Sequence, residues 1–150
     1  MEDLGEIIAP YAGQSGMVLV ALQEIQTRIG YVPETAIEKL ATALAVPTGE
    51  VLGVISFYSE LRTTPPGRHR VCVCNGDSCA ATGSRNIAQA VETQLGVTPH
   101  TITTDGQFTY DIVYCLGNCA LSPSVAVDDE VYGKCTSERV AQLLQKVTDA

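Results

Sequence analysis

Four of the six cysteines fall into two short-range pairs, and this pairing constrains the chain more than any other feature. The first pair stands in Cys74-Asn-Gly-Asp-Ser-Cys79, a C-x4-C spacing. The second stands in Cys115-Leu-Gly-Asn-Cys119, a C-x3-C spacing. The residues ahead of each pair read as strand: Arg70 to Cys74 alternates with a period of two, and Thr109 to Tyr114 is β-prone. Thirty-five residues separate the pairs. If the two strands are neighbours, both pairs lie in loops at one end of a sheet and four thiolates converge. A 2Fe–2S cluster requires that arrangement, with two sulfurs on each iron. Each loop also holds a glycine, Gly76 or Gly117, which lets backbone N–H groups approach sulfur and tune a cluster's potential.

Other uses of four cysteines stay open on spacing alone. A structural zinc site takes four cysteines as well, with knuckle spacings from C-x2-C to C-x4-C on tight turns. Two disulfides are a further use, favoured in an oxidising compartment. A dithiol oxidoreductase needs a C-x-x-C motif opening a helix, and the sequence has none. Cys72 and Cys135 lie outside both pairs and read as buried cysteines acting as small apolar residues.

Charge narrows the partners. The net charge of −8 and the pI near 4.6 oppose nucleic-acid binding, which needs a basic surface. A hydrophobic share of 45% argues for a packed fold rather than disorder. No run approaches the roughly 18 apolar residues of a membrane span. The acidic start, Met1-Glu-Asp-Leu-Gly-Glu6, lacks the basic and apolar regions of a secretory signal, so a cytoplasmic location is expected. In that reducing compartment, clustered cysteines bind metal or do redox chemistry more often than they form structural disulfides.

Two regions are expected: residues 1–62 as a helical N-terminal docking region, and residues 63–150 as a thioredoxin-like 2Fe–2S domain. In the first, Val18, Leu22, Ile25 and Ile29 form one helical stripe that Gly30 can end. Pro33 suits the first turn of a second helix with Ile37, Leu40 and Leu44 inward. Thr48 can cap a third through Val51 and Ile55. Three short helices of about 60 residues have a marginal core and gain by packing on something else. Thr63-Thr-Pro-Pro-Gly67 reads as a linker. Beyond it, Ser84 to Leu95 is a helix with Ile87, Val91 and Leu95 inward, and Asp105-Gly106 marks a hairpin. Val125 to Val127 and Glu130 to Tyr132 flank Asp128-Asp129, which suits a second hairpin, and a last helix uses Val140, Leu143, Leu144 and Val147. The order β-α-β-β-β-α is an α/β sandwich of the thioredoxin sort.

The other polar candidates are weaker. His69 and His100 are single histidines expected to be exposed, and Asp128-Asp129-Glu130 is expected to be a solvated turn. Arg62, Arg68 and Arg70 form a basic cluster that serves either as a partner-facing patch or as a solvated linker. With no G-x-G-x-x-G, neither NAD nor a flavin has an obvious seat.

Several stretches carry a family resemblance: Glu24-Ile-Gln26, Gly30-Tyr-Val-Pro33, Ile37-Glu-Lys-Leu-Ala41, Ser56-Phe-Tyr58, Pro65-Pro-Gly-Arg-His69, Asp105-Gly-Gln-Phe-Thr109 and the two cysteine pairs. Over nearly its whole length the chain resembles the thioredoxin-like 2Fe–2S subunits of respiratory complex I, NAD-reducing hydrogenases and NAD-dependent formate dehydrogenases. The resemblance implies a single 2Fe–2S cluster held by Cys74, Cys79, Cys115 and Cys119. It implies a non-catalytic electron-transfer role beside a flavin- and NAD-binding partner, with FMN, NAD and further Fe–S clusters in partner subunits only. Arg62-Thr-Thr-Pro-Pro-Gly-Arg-His69 and Cys119-Ala-Leu-Ser-Pro123 look most like the formate dehydrogenase gamma subunit, which implies a larger alpha-type catalytic subunit in the complex. Asn75, Asp77, Cys72 and Cys135 depart from the family pattern.

Overall fold

The computed structural model describes residues 3–148. The chain divides into two compact units, Met1–Pro65 and Pro66–Ala150. None of its described helices is long and apolar enough to cross a membrane.

Among its described residues the first unit holds four α-helices, α1 (Leu4–Ile8), α2 (Val18–Ile29), α3 (Glu34–Leu44) and α4 (Thr48–Phe57), with a 3-10 turn at Ala9–Tyr11. α1 was not expected. It is five residues long, too short for a periodic stripe to show, and it forms because Asp3 caps it by accepting the Gly5 N–H at 3.0 Å. The stripe on α2 is buried at Val18, Leu22 and Ile25, and Gly30 ends the helix at φ 92°, a left-handed conformation that glycine adopts without penalty. Two cap assignments shift by one residue. Pro33, not a first-turn residue, is the N-cap of α3, and Pro47 is the N-cap of α4, so Thr48 is already helical and its side chain caps nothing. Proline at both positions sets the extended backbone from which a helix starts. Ile7, Leu22, Ile25, Leu40 and Val51 lie at the centre of this unit's core. Gln26 holds the chain beyond α4 by donating to the Glu60 carbonyl and accepting from the Arg62 N–H, each at 2.8 Å.

The second unit is a five-stranded mixed sheet with helices. Its elements are β1 (His69–Cys74), α5 (Asp77–Ala81), α6 (Ser84–Leu95), β2 (Thr101–Ile102), β3 (Phe108–Val113), β4 (Val125–Val127), β5 (Glu130–Tyr132) and α7 (Ser137–Thr148). Four strands follow α6, one more than the expected order allowed, because each hairpin contributes two. The spatial order is β2-β3-β1-β4-β5, with β1 and β3 parallel and every other pair antiparallel. Asp128 and Asp129 both take positive φ, 49° and 69°, the backbone of a two-residue hairpin turn whose twist matches its strands. Val71, Val73, Tyr110, Val125, Ile87, Val91, Val140 and Leu144 form the core. Strand alternation therefore places Cys72 and Cys74 on the other face of the sheet.

Candidate metal centre

β1 and β3 are adjacent and parallel, in a register that pairs Cys74 with Val113. The chain therefore leaves both strands at the same edge of the sheet, and both cysteine pairs lie there. Two backbone bonds hold the exit in place: Asn75 N–H donates to Val113 at 2.7 Å, and Cys74 N–H to Ser124 at 3.1 Å.

The first loop passes close over the second strand's end. At Gly76 a Cβ would overlap the Tyr114 carbonyl oxygen and lie 3.3 Å from its carbon, so the crossing tolerates only glycine. α5 begins at the next residue and turns Cys79 back toward Cys74. This helix inside the C-x4-C pair was not legible in the sequence, where five residues between turns show no period. In the second loop, Gly117 (φ 74°) donates its N–H to Cys115 Sγ at 3.3 Å, and Cys119 opens a short 3-10 turn to Leu121.

Cys74 and Cys79 are buried, and Cys115 and Cys119 are exposed. Burial pushes the Cys74 thiol up in pKa, against N–H groups of Gly76 and, from the opposite loop, Leu116, which favour the thiolate. For Cys79 burial acts upward too, but hydrogen bonds from Cys74, Ser122 and Ser124 outweigh it, and its thiol is held below the usual range. Cys119 is held up first by its hydrogen bond and charge contact with Cys115, and further by the nearby Cys79. The thiols thus group as two pairs, 74 with 79 and 115 with 119, linked to each other through Cys79 and Cys119.

No three His, Cys, Asp or Glu side chains among the described residues converge as ligands of one ion. A single tetrahedral zinc needs all four sulfurs around one point. A two-iron cluster needs two sulfurs at each of two irons, with donors aimed at sulfur. The two pairs, with N–H groups of Gly76, Leu116 and Gly117 on their sulfurs, fit the second requirement.

The remaining sequence candidates lie elsewhere. Cys72 is buried beside Asp111 and Ala126, and Cys135 is buried and donates its thiol to the Tyr132 carbonyl at 3.2 Å. His100 is exposed as expected. His69 is not: only 19% of its side chain meets solvent, because Nδ1 pairs with Asp128 at 2.7 Å. Asp128 lies in an exposed turn, yet its carboxylate also accepts the Arg70 N–H at 2.8 Å. Arg70 leaves the expected basic cluster, since its guanidinium is committed to Asp111 at 3.0 Å. Sequence reasoning missed Ser78, Ser122 and Ser124 around Cys79, for which no spacing signal exists.

Comparison with known proteins bears on the same residues. The profile of a family described as "Thioredoxin-like [2Fe-2S] ferredoxin" matches residues 4–148. An NADH-quinone oxidoreductase subunit from Salmonella typhimurium is 36% identical over 126 residues, 84% of this chain and 76% of that protein. NADP-reducing hydrogenase subunit HndA of Solidesulfovibrio fructosivorans is 34% identical over 131 residues, 87% of this chain and 77% of that one. Among solved structures, a chain of an NAD+-reducing [NiFe]-hydrogenase in the air-oxidized state superposes with a TM-score of 0.71 at 19% identity. That match covers 99% of this chain but 24% of the hydrogenase chain, and it speaks for the fold alone.

Proposed function

Because the chain belongs to the thioredoxin-like [2Fe-2S] ferredoxin family, we propose that it is the electron-transfer subunit of an NAD-linked oxidoreductase complex, with Cys74, Cys79, Cys115 and Cys119 holding its one 2Fe–2S cluster. The observation that carries this reading is the placement of both pairs at the ends of two parallel, adjacent strands. When bound, such a cluster supplies one-electron transfer. The chain's own residues bind it, hold the sulfurs in two pairs, and aim N–H groups at them. The subunit by itself oxidises no NADH, since the flavin and nucleotide sites belong to a partner.

The relatives named above support a respiratory or hydrogenase complex more than a formate dehydrogenase. The formate dehydrogenase gamma reading, with its alpha-type partner, rests on the stretches Arg62 to His69 and Cys119 to Pro123. Residues 1–62 dock on the flavin- and NAD-binding partner, and the complex works in the cytoplasm or on its side of a membrane. A zinc-stabilised adaptor is the competing class, since two cysteine pairs also suit one zinc; the family match favours the cluster.

The test replaces each of the six cysteines singly by Ser, and Cys115 also by Ala, with iron content and the reduced-state EPR signal as readouts. The four ligands are expected to be indispensable, and Cys72 and Cys135 dispensable. Full cluster content in Cys115→Ala, or its loss in Cys135→Ser, overturns the assignment. A colourless purified protein with bound zinc establishes the adaptor instead.

A further inference from the structure

Two hydroxyls tie the loop of Cys79 to the loop of Cys119. Ser78 Oγ and Ser122 Oγ are 2.7 Å apart. Ser122 donates to the Cys119 carbonyl at 2.6 Å, and Ser78 reaches that same oxygen at 3.3 Å. Cys79 Sγ lies 3.7 Å from Ser122 Oγ.

A hydroxyl has one proton to give and two lone pairs to receive. In this arrangement Ser122 gives its one proton to the Cys119 carbonyl. A cysteine bound to iron is a thiolate, so its sulfur can only accept. Ser122, with one proton, then has two acceptors in reach, that sulfur and the Cys119 carbonyl. Its proton can serve the sulfur only if another donor takes over the Cys119 carbonyl, and Ser78 stands within reach of it. Ser124 also contacts Cys79, but it is wholly buried and fixed by Asn118, which donates to its hydroxyl at 3.2 Å. Ser122 is the contact that must turn.

We infer that Ser122 and Ser78 act as an exchangeable hydroxyl pair: with the cluster bound, Ser122 turns from the Cys119 carbonyl to donate to Cys79 sulfur, Ser78 takes up the carbonyl, and the new bond raises the cluster's reduction potential. The direction follows from charge. Reduction adds an electron to the cluster, and a donor on a sulfur stabilises the more negative state. Both serines are positioning residues, acting through Cys79 and Cys119, and the inference rests on Cys79 being a ligand.

The experiment uses the full chain with its cluster. Ser122→Ala, Ser122→Thr and Ser78→Ala are assayed first for iron per chain and then by EPR-monitored redox titration. Ser122→Ala is expected to lower the reduced-to-oxidised ratio at fixed potential about fivefold, the worth of one net hydrogen bond. At 59 mV per tenfold for one electron, that is roughly 40 mV. Ser122→Thr keeps the hydroxyl and restores the native potential. Ser78→Ala also falls, by less, because Ser122 is then drawn back to the carbonyl. A native potential at full iron in either alanine variant overturns the inference. If Ser122→Ala takes up no iron, Ser78→Ala decides alone. Full cluster in Cys79→Ala defeats the ligand reading instead, so the two failures are distinguishable.

Discussion

Gly76→Ala and Gly117→Ala place the same methyl group in the two cysteine loops, and the structure assigns them different costs. At Gly117 an added Cβ meets nothing within 4 Å, so the penalty is conformational: alanine at φ 74° costs about 1 kcal/mol. At Gly76 the backbone is ordinary, φ −65°, and the penalty is steric. The Cβ overlaps the Tyr114 carbonyl oxygen, lies 3.3 Å from Tyr114 C, and stands 3.7 Å from Cys74 Sγ. Side-chain rotation cannot relieve a clash with backbone, and this backbone extends the β1–β3 ladder through the 2.7 Å bond from Asn75 to Val113. Overpacking of this kind costs about 3 kcal/mol, the upper end of its usual range, because the ladder has to part. A domain of this size loses about 4 to 8 °C of melting temperature per kcal/mol. Gly76→Ala should therefore melt about 8 to 16 °C lower than Gly117→Ala. It should also lose iron, since the parting separates Cys74 from the loop of Cys115. Calorimetric melting of the holoprotein with iron analysis measures both. Equal melting temperatures and full iron in the two variants refute the steric argument.

Asp111→Ala removes the carboxylate that holds Arg70 Nε at 3.0 Å and His100 Nδ1 at 3.3 Å, and should cost about 1.5 kcal/mol in urea unfolding. The low end of the range for charged hydrogen bonds applies because both partners left behind meet solvent, Arg70 over 34% and His100 over 55% of the side chain. Tyr110→Phe should instead stabilise by about 1 kcal/mol, since the Tyr110 hydroxyl is buried with no hydrogen-bond partner among the described residues; a loss of stability in urea contradicts this. Burial first, and then the nearby Glu92, raise the Tyr110 pKa, so ionising the phenol is disfavoured in the fold and stability falls as pH rises above the phenol's ordinary value near 10. Tyr110→Phe should accordingly resist alkaline unfolding to higher pH, read by circular dichroism. Deleting residues 1–60 should abolish co-purification with a flavin-bearing partner; full stoichiometry in the truncated protein refutes docking through that region.

Local patterns carried most of the elements. The stripe Val18, Leu22, Ile25 ending at Gly30, the helix Ser84–Leu95, and the turn at Asp128-Asp129 all follow from period, cap and turn chemistry within a few residues. Both cysteine pairs were legible for the same reason, as was their position after strands. α1 and α5 were not, because five residues make barely one turn and depend on a cap or a neighbouring strand for their existence.

What the sequence could not decide is which distant segments meet. Spacing allowed the two pairs to converge; only the parallel pairing of β1 with β3 brought them to one edge, through contacts between residues about 40 positions apart. The same holds for Ser78 and Ser122, for Arg70 with Asp111, and for His69 with Asp128. Hydrogen bonds and ion pairs reach only a few ångströms, so a residue's chemistry can be read from its type, but its partner is set by the packing of the whole sheet.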